Sequence, residues 1–243
     1  MNYRFDWSIL FTEPYLGLLK SGVYYTVIII LLSSIGSLLF GLLVAVMRMS
    51  ANKYISMLAN SYVDVTRNIP GLFWIMFFYF VFPELLPTAM CASLNGYQNY
   101  AIVAGILGLT IDNTGYVSDI IRSGVMSIPQ GEKDAAAASG LDSLQQWRYV
   151  LIPHGMRVCL PPLGGRMVHN LRNSSLCMAI AAPELTWATQ QIESLSFRGI
   201  EVTIFATIVY LLMAFTFIIF ASWLEKRWDI SKNSAFNKHY IPG

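Results

Sequence analysis

Two groups of polar residues stand inside otherwise apolar stretches: Asp112, Tyr116, Asp119 and Arg122 in one, and Arg166, His169, Asn170 and Asn173 in the other. Plotted at about 100° per residue, the first group shares one broad helical face with Gly115. The second shares another face, from which Arg172 falls away. A charge in hydrocarbon costs about 3 kcal/mol on insertion scales, so such side chains should face a cavity or a partner. Opposite charges around one cavity can bind an ion, relay a proton or hold a polar solute. Each also has a plainer reading. Asp119 and Arg122, at i and i+3, serve equally as a paired charge near a membrane surface, and His169 equally as a packing residue. Asp112 is the sharper case, far from either end of its stretch.

Other chemistry finds no pattern to rest on. His154, His169 and His239 are scattered, with no His-Glu-x-x-His or Gly-x-Ser-x-Gly context. Cys91, Cys159 and Cys177 are odd in number and widely spaced, without a Cys-x-x-Cys or Cys/His metal pattern, and read as packing residues. There is no Gly-x-x-x-x-Gly-Lys-[Ser/Thr] phosphate loop. No catalytic residue, metal ligand or cofactor is expected in this chain, so any energy source must lie in a partner.

The elements that must position these groups are membrane helices. Of 243 residues, 55% are hydrophobic and only 12% charged, with mean hydropathy +0.52, well away from soluble proteins. Crossing a bilayer takes about 20 apolar residues in a helix. Residues 21–47 and 202–224 are free of charge and long enough. Residues 68–83, rich in aromatics, make a third span, and 100–126 and 158–183 bring the count to five once their charges face inward. The fold class expected is an all-α integral membrane protein, with residues 1–228 as the transmembrane domain and 229–243 as a polar cytoplasmic tail.

Basic residues set the orientation. Arg48, Lys53 and Arg67 follow the first span, Lys133, Arg148 and Arg157 lie between the third and fourth, and Lys226, Arg227, Lys232 and Lys238 follow the fifth. The loop after the second span has no basic residue, and residues 184–201 hold only Arg198 against three glutamates. The N-terminus is therefore expected outside and the C-terminus inside. No cleaved signal peptide is expected, because the first run is too long for one and lacks a basic lead. Membrane lipid is an expected partner and nucleic acid is not.

One stretch departs from its surroundings. "SIPQGEKDAAAASGLDSLQQWRYVLIP", Ser127 to Pro153, is polar and alanine-rich, and the loop 127–156 lies on the cytoplasmic side in this orientation. Pro129 and Gly131 break the preceding helix. Glu132 and Asp134 then stand in the first turn of a new one, where negative charge suits the helix dipole. Gly140 ends it, and Asp142 or Ser143 can cap a second short helix running to Pro153. Alanines make a slim rod that another protein can approach closely, so docking is the better reading of the loop.

These residues resemble the "EAA" coupling loop of ABC-transporter permease subunits: Pro129, Gly131, Asp134-Ala135-Ala136, Gly140 and Pro153. Asp134 stands where the family has glutamate. The likeness extends along the chain. "TRNIPGLFWIMFFYF" is similar to the arginine-x-x-proline opening of the second span in polar amino-acid uptake permeases. "GYVSDIIRSGVMSIPQG" matches their segment at Gly115-Tyr116, Asp119 and Arg122. "PHGMRVCLPPLGGRMVHNLRNSSL", then "PELT" and "QQI", resemble the elements that follow there. The order and spacing of these motifs identify the chain as similar to the inner-membrane subunits of glutamate/aspartate-type importers.

The resemblance implies a bacterial inner-membrane permease that imports polar amino acids, driven by ABC ATPase subunits that bind ATP and magnesium in a separate chain. It implies contact with the ATPase through Glu132, Asp134, Ala135, Ala136, Gly140 and Leu141. It also implies a second permease subunit, identical or homologous, and a periplasmic or extracellular amino-acid-binding protein. An amino acid is a zwitterion. Either Arg122 or Arg166 is placed to meet its carboxylate and Asp112 its ammonium, with Tyr116, Asp119, His169 and Asn173 completing the expected pathway. The neutral amide of Asn173 points away from basic substrates and toward acidic or amide ones. The rival reading is an ion-coupled secondary carrier using Asp112 and Asp119.

Overall fold

The computed structural model describes residues 4–228, and every element among them is helical. The tail expected over 229–243 lies outside the described residues. A 3-10 turn, Trp7–Phe11, leads into α1, Tyr15–Arg48, and α2, Lys53–Asn68. Then come α3, Gly71–Met76, extended by a π turn at Phe77–Val81, and the short α4, Thr88–Asn95. The central α5 covers Tyr100–Met126. The polar hairpin follows as α6, Gln130–Ala138, and α7, Ser143–Gln146. A π turn at Trp147–Leu151 runs on into α8, Ile152–Asn173, and a 3-10 segment over Ser174–Ile180. The chain closes with α9, Leu185–Ser196, and α10, Gly199–Trp228.

Among the described residues, only α1 and α10 are both long and apolar enough to cross a membrane by length and composition alone. The 27 residues of α5 and the 22 of α8 also suffice in length but carry the charges noted above. The apolar helix Gly71–Val81 is shorter than the stretch 68–83 read as a span. Its start is fixed by Pro70, whose extended ψ of 140° cannot continue α2. The residues before it, read as loop, form α2. This helix buries Ala59, Val63 and Thr66, spaced four and three apart, which is one narrow helical face.

α8 starts at Ile152, six residues before the stretch read as the fourth span. Pro153 does not end the preceding helix. It sits in the first turn of α8, directly after the π turn, at a position where proline is tolerated. Asp142 caps the turn before it: its carboxylate accepts from the Gln145 N–H at 2.9 Å, while Gln145 accepts from the Asp142 N–H at 3.0 Å.

Small residues bring α5 to the centre, against α1, α2, α3 and α8. A Cβ at Gly108 would lie 2.6 Å from the Ile75 Cα, so α3 can approach only a glycine there. Such contacts replace the hydrophobic drive that lipid does not supply. A buried amide joins three helices. Asn170 of α8 donates to Ser33 (2.8 Å) and Ser34 (3.0 Å) of α1 and accepts from Asn113 of α5 at 2.6 Å. Glu184, fully buried, caps α9 by accepting from the N–H groups of Thr186 (2.9 Å) and Trp187 (2.8 Å) and from the Tyr210 hydroxyl at 2.8 Å.

Candidate functional site: a ladder of charge along the central helix

The helical spacing of α5 places Asp112, Tyr116 and Asp119 one above another. Asp112 forms an ion pair with Arg166 of α8, Nη2 to Oδ2 at 3.0 Å, and both side chains are nearly buried, at 7% and 10% exposure. The same guanidinium lies 3.8 Å above the centre of the Tyr116 ring. Arg67, at the end of α2, approaches that ring at 5.0 Å and pairs with Asp119. Asp119 in turn receives Arg48 of α1 at 2.6 Å, and Arg48 donates to Asn60 of α2 at 2.9 Å. Three helices, α1, α2 and α8, thus meet one face of α5, through three cations and two carboxylates.

Several expected partnerships are rearranged. Asp119 pairs across the bundle with Arg48 and Arg67, not with Arg122 three residues on. Arg122 is half-buried on the same helix and takes no part in the ladder. Asp112 and Arg166, read as separate contacts for opposite ends of a zwitterion, are closed on each other. Asn173 lies beside the Asp112 carboxylate. His169 is half-buried, and its Nδ1 is a buried atom without a hydrogen-bond partner, as are the Nε of Arg166 and the Oδ1 of Asn113. The Arg166 Nε belongs to the ion pair itself and His169 lies near its guanidinium, so polar capacity is left over where a polar ligand could use it.

Sequence reasoning missed Arg48 and Arg67, counted only as orientation markers. Arg67 did carry a signal: it is the arginine of "TRNIP", one turn before Pro70. Arg48 carried none, because its partner Asp119 is 71 residues away.

At the far end of α5 the hairpin stands clear of the bundle. Asp134, Ala135 and Gly140 are exposed, Leu141 is half-buried, and Gly140 adopts a left-handed φ of 75°. Ala136 differs from the expectation. It is buried, because helical rotation turns it away from the face that Ala135 presents. Glu132 is held to the start of α8 by His154, at 3.0 Å. Gln130 donates to Asp134 at 2.9 Å.

Residues 37–230 match the family model described as "Binding-protein-dependent transport system inner membrane component". The chain is 30% identical over 224 residues to the "Probable glutamine ABC transporter permease protein GlnM" of Bacillus subtilis, covering 92% of this chain and 98% of that one. It is 30% identical over 227 residues to the "Glutamine transport system permease protein GlnP" of Escherichia coli K12, covering 93% and 99%. Over 225 residues it is 26% identical to the "Glutamate/aspartate import permease protein GltK" of an E. coli O6:H1 strain, covering 93% and 99%. Its fold matches the "Crystal structure of an amino acid ABC transporter with histidines", with TM-score 0.79 and 30% identity over 93% of this chain and all of that one.

Proposed function

Since the chain belongs to the family of binding-protein-dependent transport system inner membrane components, we propose that it is the permease of an ATP-driven importer taking up glutamine and acidic amino acids. The observation that carries this reading is that α5 and α8 share both parts of such a machine. They hold the buried Asp112–Arg166 pair between them, and the exposed hairpin of α6 and α7 links the end of one to the start of the other. As a permease subunit it is not catalytic, and the ATPase is a separate chain that binds ATP and magnesium.

In this reading the chain crosses the bacterial inner membrane five times, with its N-terminus outside and its C-terminus in the cytoplasm. Glu132, Asp134, Ala135, Gly140 and Leu141 meet a groove on the ATPase, and Ala136 supports them from behind. Closure of the ATPase pushes α6, and that movement passes to α5 and α8 together. The substrate's carboxylate then takes Arg166 and its ammonium takes Asp112. One buried ion pair is exchanged for two, so opening the pair is not left uncompensated. Tyr116 keeps the guanidinium in place during the exchange, and His169 and Asn173 offer further polar contact. Arg67, Asp119 and Arg48 close the pathway below. A second permease completes the wall, and an external binding protein delivers the amino acid.

The ion-coupled carrier would need Asp112 and Asp119 as sites for a proton or sodium. Both carboxylates are already paired with arginines. The test is uptake of labelled glutamine into proteoliposomes holding the complete complex. ATP on the ATPase side should suffice without any ion gradient, and uptake driven by a gradient alone would overturn the assignment.

A further inference from the structure

At the end of α5 opposite the coupling hairpin, a polar cavity of about 450 Å³ opens between the π turn of α3, α4, the start of α5 and the backbone around Ala181. Its walls include Tyr79, Phe80, Tyr97 and Tyr100, with Glu84, Asn95 and Gln98 as polar members. Tyr79 stacks on Tyr100 at 5.8 Å, and the Tyr100 hydroxyl donates to the Phe78 carbonyl, so these rings are fixed in place. Glu84 is the only charged residue of the lining. It accepts from the Cys91 thiol at 3.5 Å and has no cationic partner among the described residues. No lysine or arginine occurs anywhere between Arg67 and Arg122.

We propose that this cavity is an outer vestibule that receives the ammonium group of the incoming amino acid before it reaches Asp112 and Arg166. The chemistry points to a cation for three reasons. A lone carboxylate supplies the charge, aromatic faces attract ammonium through their quadrupoles, and no positive side chain competes. An anion would meet the Glu84 carboxylate and find only neutral donors, such as the amides of Asn95 and Gln98, to hold it. The size suits a small solute, within the range of about 300–1,000 Å³ typical of ligand sites. The position is upstream: the 27 residues of α5 separate the vestibule from the hairpin, and Asp112 lies between.

The proposal rests on the permease reading above, and its test is independent of transport. Cys91 is half-exposed beside Glu84, whereas Cys159 and Cys177 are buried, so Cys91 is a native reporter. The complete complex in a nonionic maltoside detergent, without nucleotide or amine lipid, is treated with a maleimide, and the labelling rate of Cys91 is followed. At a concentration about twice the Kd of each, tetramethylammonium and L-glutamine should each slow labelling about threefold at constant ionic strength. N-acetylglutamine, which lacks the ammonium, should not. The ratio of rates with and without tetramethylammonium should return to one in Glu84→Gln, and rise partway toward one in Tyr97→Ala. Equal rates with and without both ammonium compounds, or protection that persists in Glu84→Gln, overturns the vestibule. ATP-driven uptake by the unmodified complex, measured separately, tests the permease reading itself.

Discussion

At the scale of single residues, the Asp112–Arg166 pair decides how substitutions will read out. Removing one member of a buried pair leaves the other uncompensated, which costs about 3–5 kcal/mol. Asp112→Asn alone should therefore lower the melting temperature of the purified complex and its abundance in the membrane. Asp112→Asn combined with Arg166→Gln removes both charges and should restore much of that stability. Uptake by the double variant should still need at least tenfold more substrate for half-saturation, because about 1.5–3 kcal/mol is lost with each charged hydrogen bond to the zwitterion. Uptake is normalised to assembled complex. A double variant that recovers both stability and affinity would make the pair structural only.

The residues of this pair were legible because helical periodicity puts buried charges on predictable faces. The pairing itself was not legible. Asp112 and Arg166 are 54 positions apart, and the Arg67–Asp119 contact spans 52, so only the packing of four helices brings them together. The same holds for Asp119 and Arg122, whose i,i+3 spacing suggested a local pair. Two arginines from other helices compete for one carboxylate, and Arg48, at 9% exposure, is the more buried contact.

At the scale of elements, what hydrophobic runs reveal is limited to what lipid selects. The long runs inside α1 and α10 stand out in sequence because they are apolar all round. α2, α4 and α9 do not, because each buries a narrow face or none and keeps polar residues elsewhere. Close packing of α5 against α3 was likewise hidden, although it follows from Gly108. Gly108→Ala would push a methyl into the Ile75 backbone, and overpacking of this kind costs about 1–3 kcal/mol. A fall in melting temperature is expected for it. Gly131→Ala, where nothing lies within 4 Å, should not show one.

The turn of the coupling hairpin makes a functional prediction at the same scale. Gly140 needs its left-handed φ of 75°, which a branched side chain adopts at a cost of about 1 kcal/mol or more. Gly140→Leu also adds bulk to an exposed surface. Membrane insertion should be unaffected, since no core contact changes. ATP hydrolysis by the complex should continue while labelled glutamine stays outside the vesicles. Normal ATP-driven uptake by this variant would remove the hairpin from coupling.

At the scale of the whole molecule, the two ends of α5 must lie on opposite sides of a membrane if the ladder is a pathway. Large apolar side chains are exposed along α1 and α10, including Leu39, Leu42, Leu43, Leu211, Leu212 and Ile219. Such a surface is stable against lipid or a second subunit and not against water. Under the proposed orientation, which the distribution of basic residues supports, the vestibule lies outside and the hairpin inside. Native chemistry allows a direct check. Cys91 precedes α5 and Ser139 follows it at the end of α6, so the proposed orientation puts them on opposite sides. A membrane-impermeant maleimide should label Cys91 in intact spheroplasts. In a Cys91→Ser background, Ser139→Cys should react only in inside-out vesicles, because the exposed Ser139 caps the end of α6 on the hairpin. The reverse pattern would invert the orientation and place the hairpin where no ATPase could reach it. Labelling of both sites from one side would mean that α5 does not cross, and the charge ladder would then be a structural feature of a helix that returns.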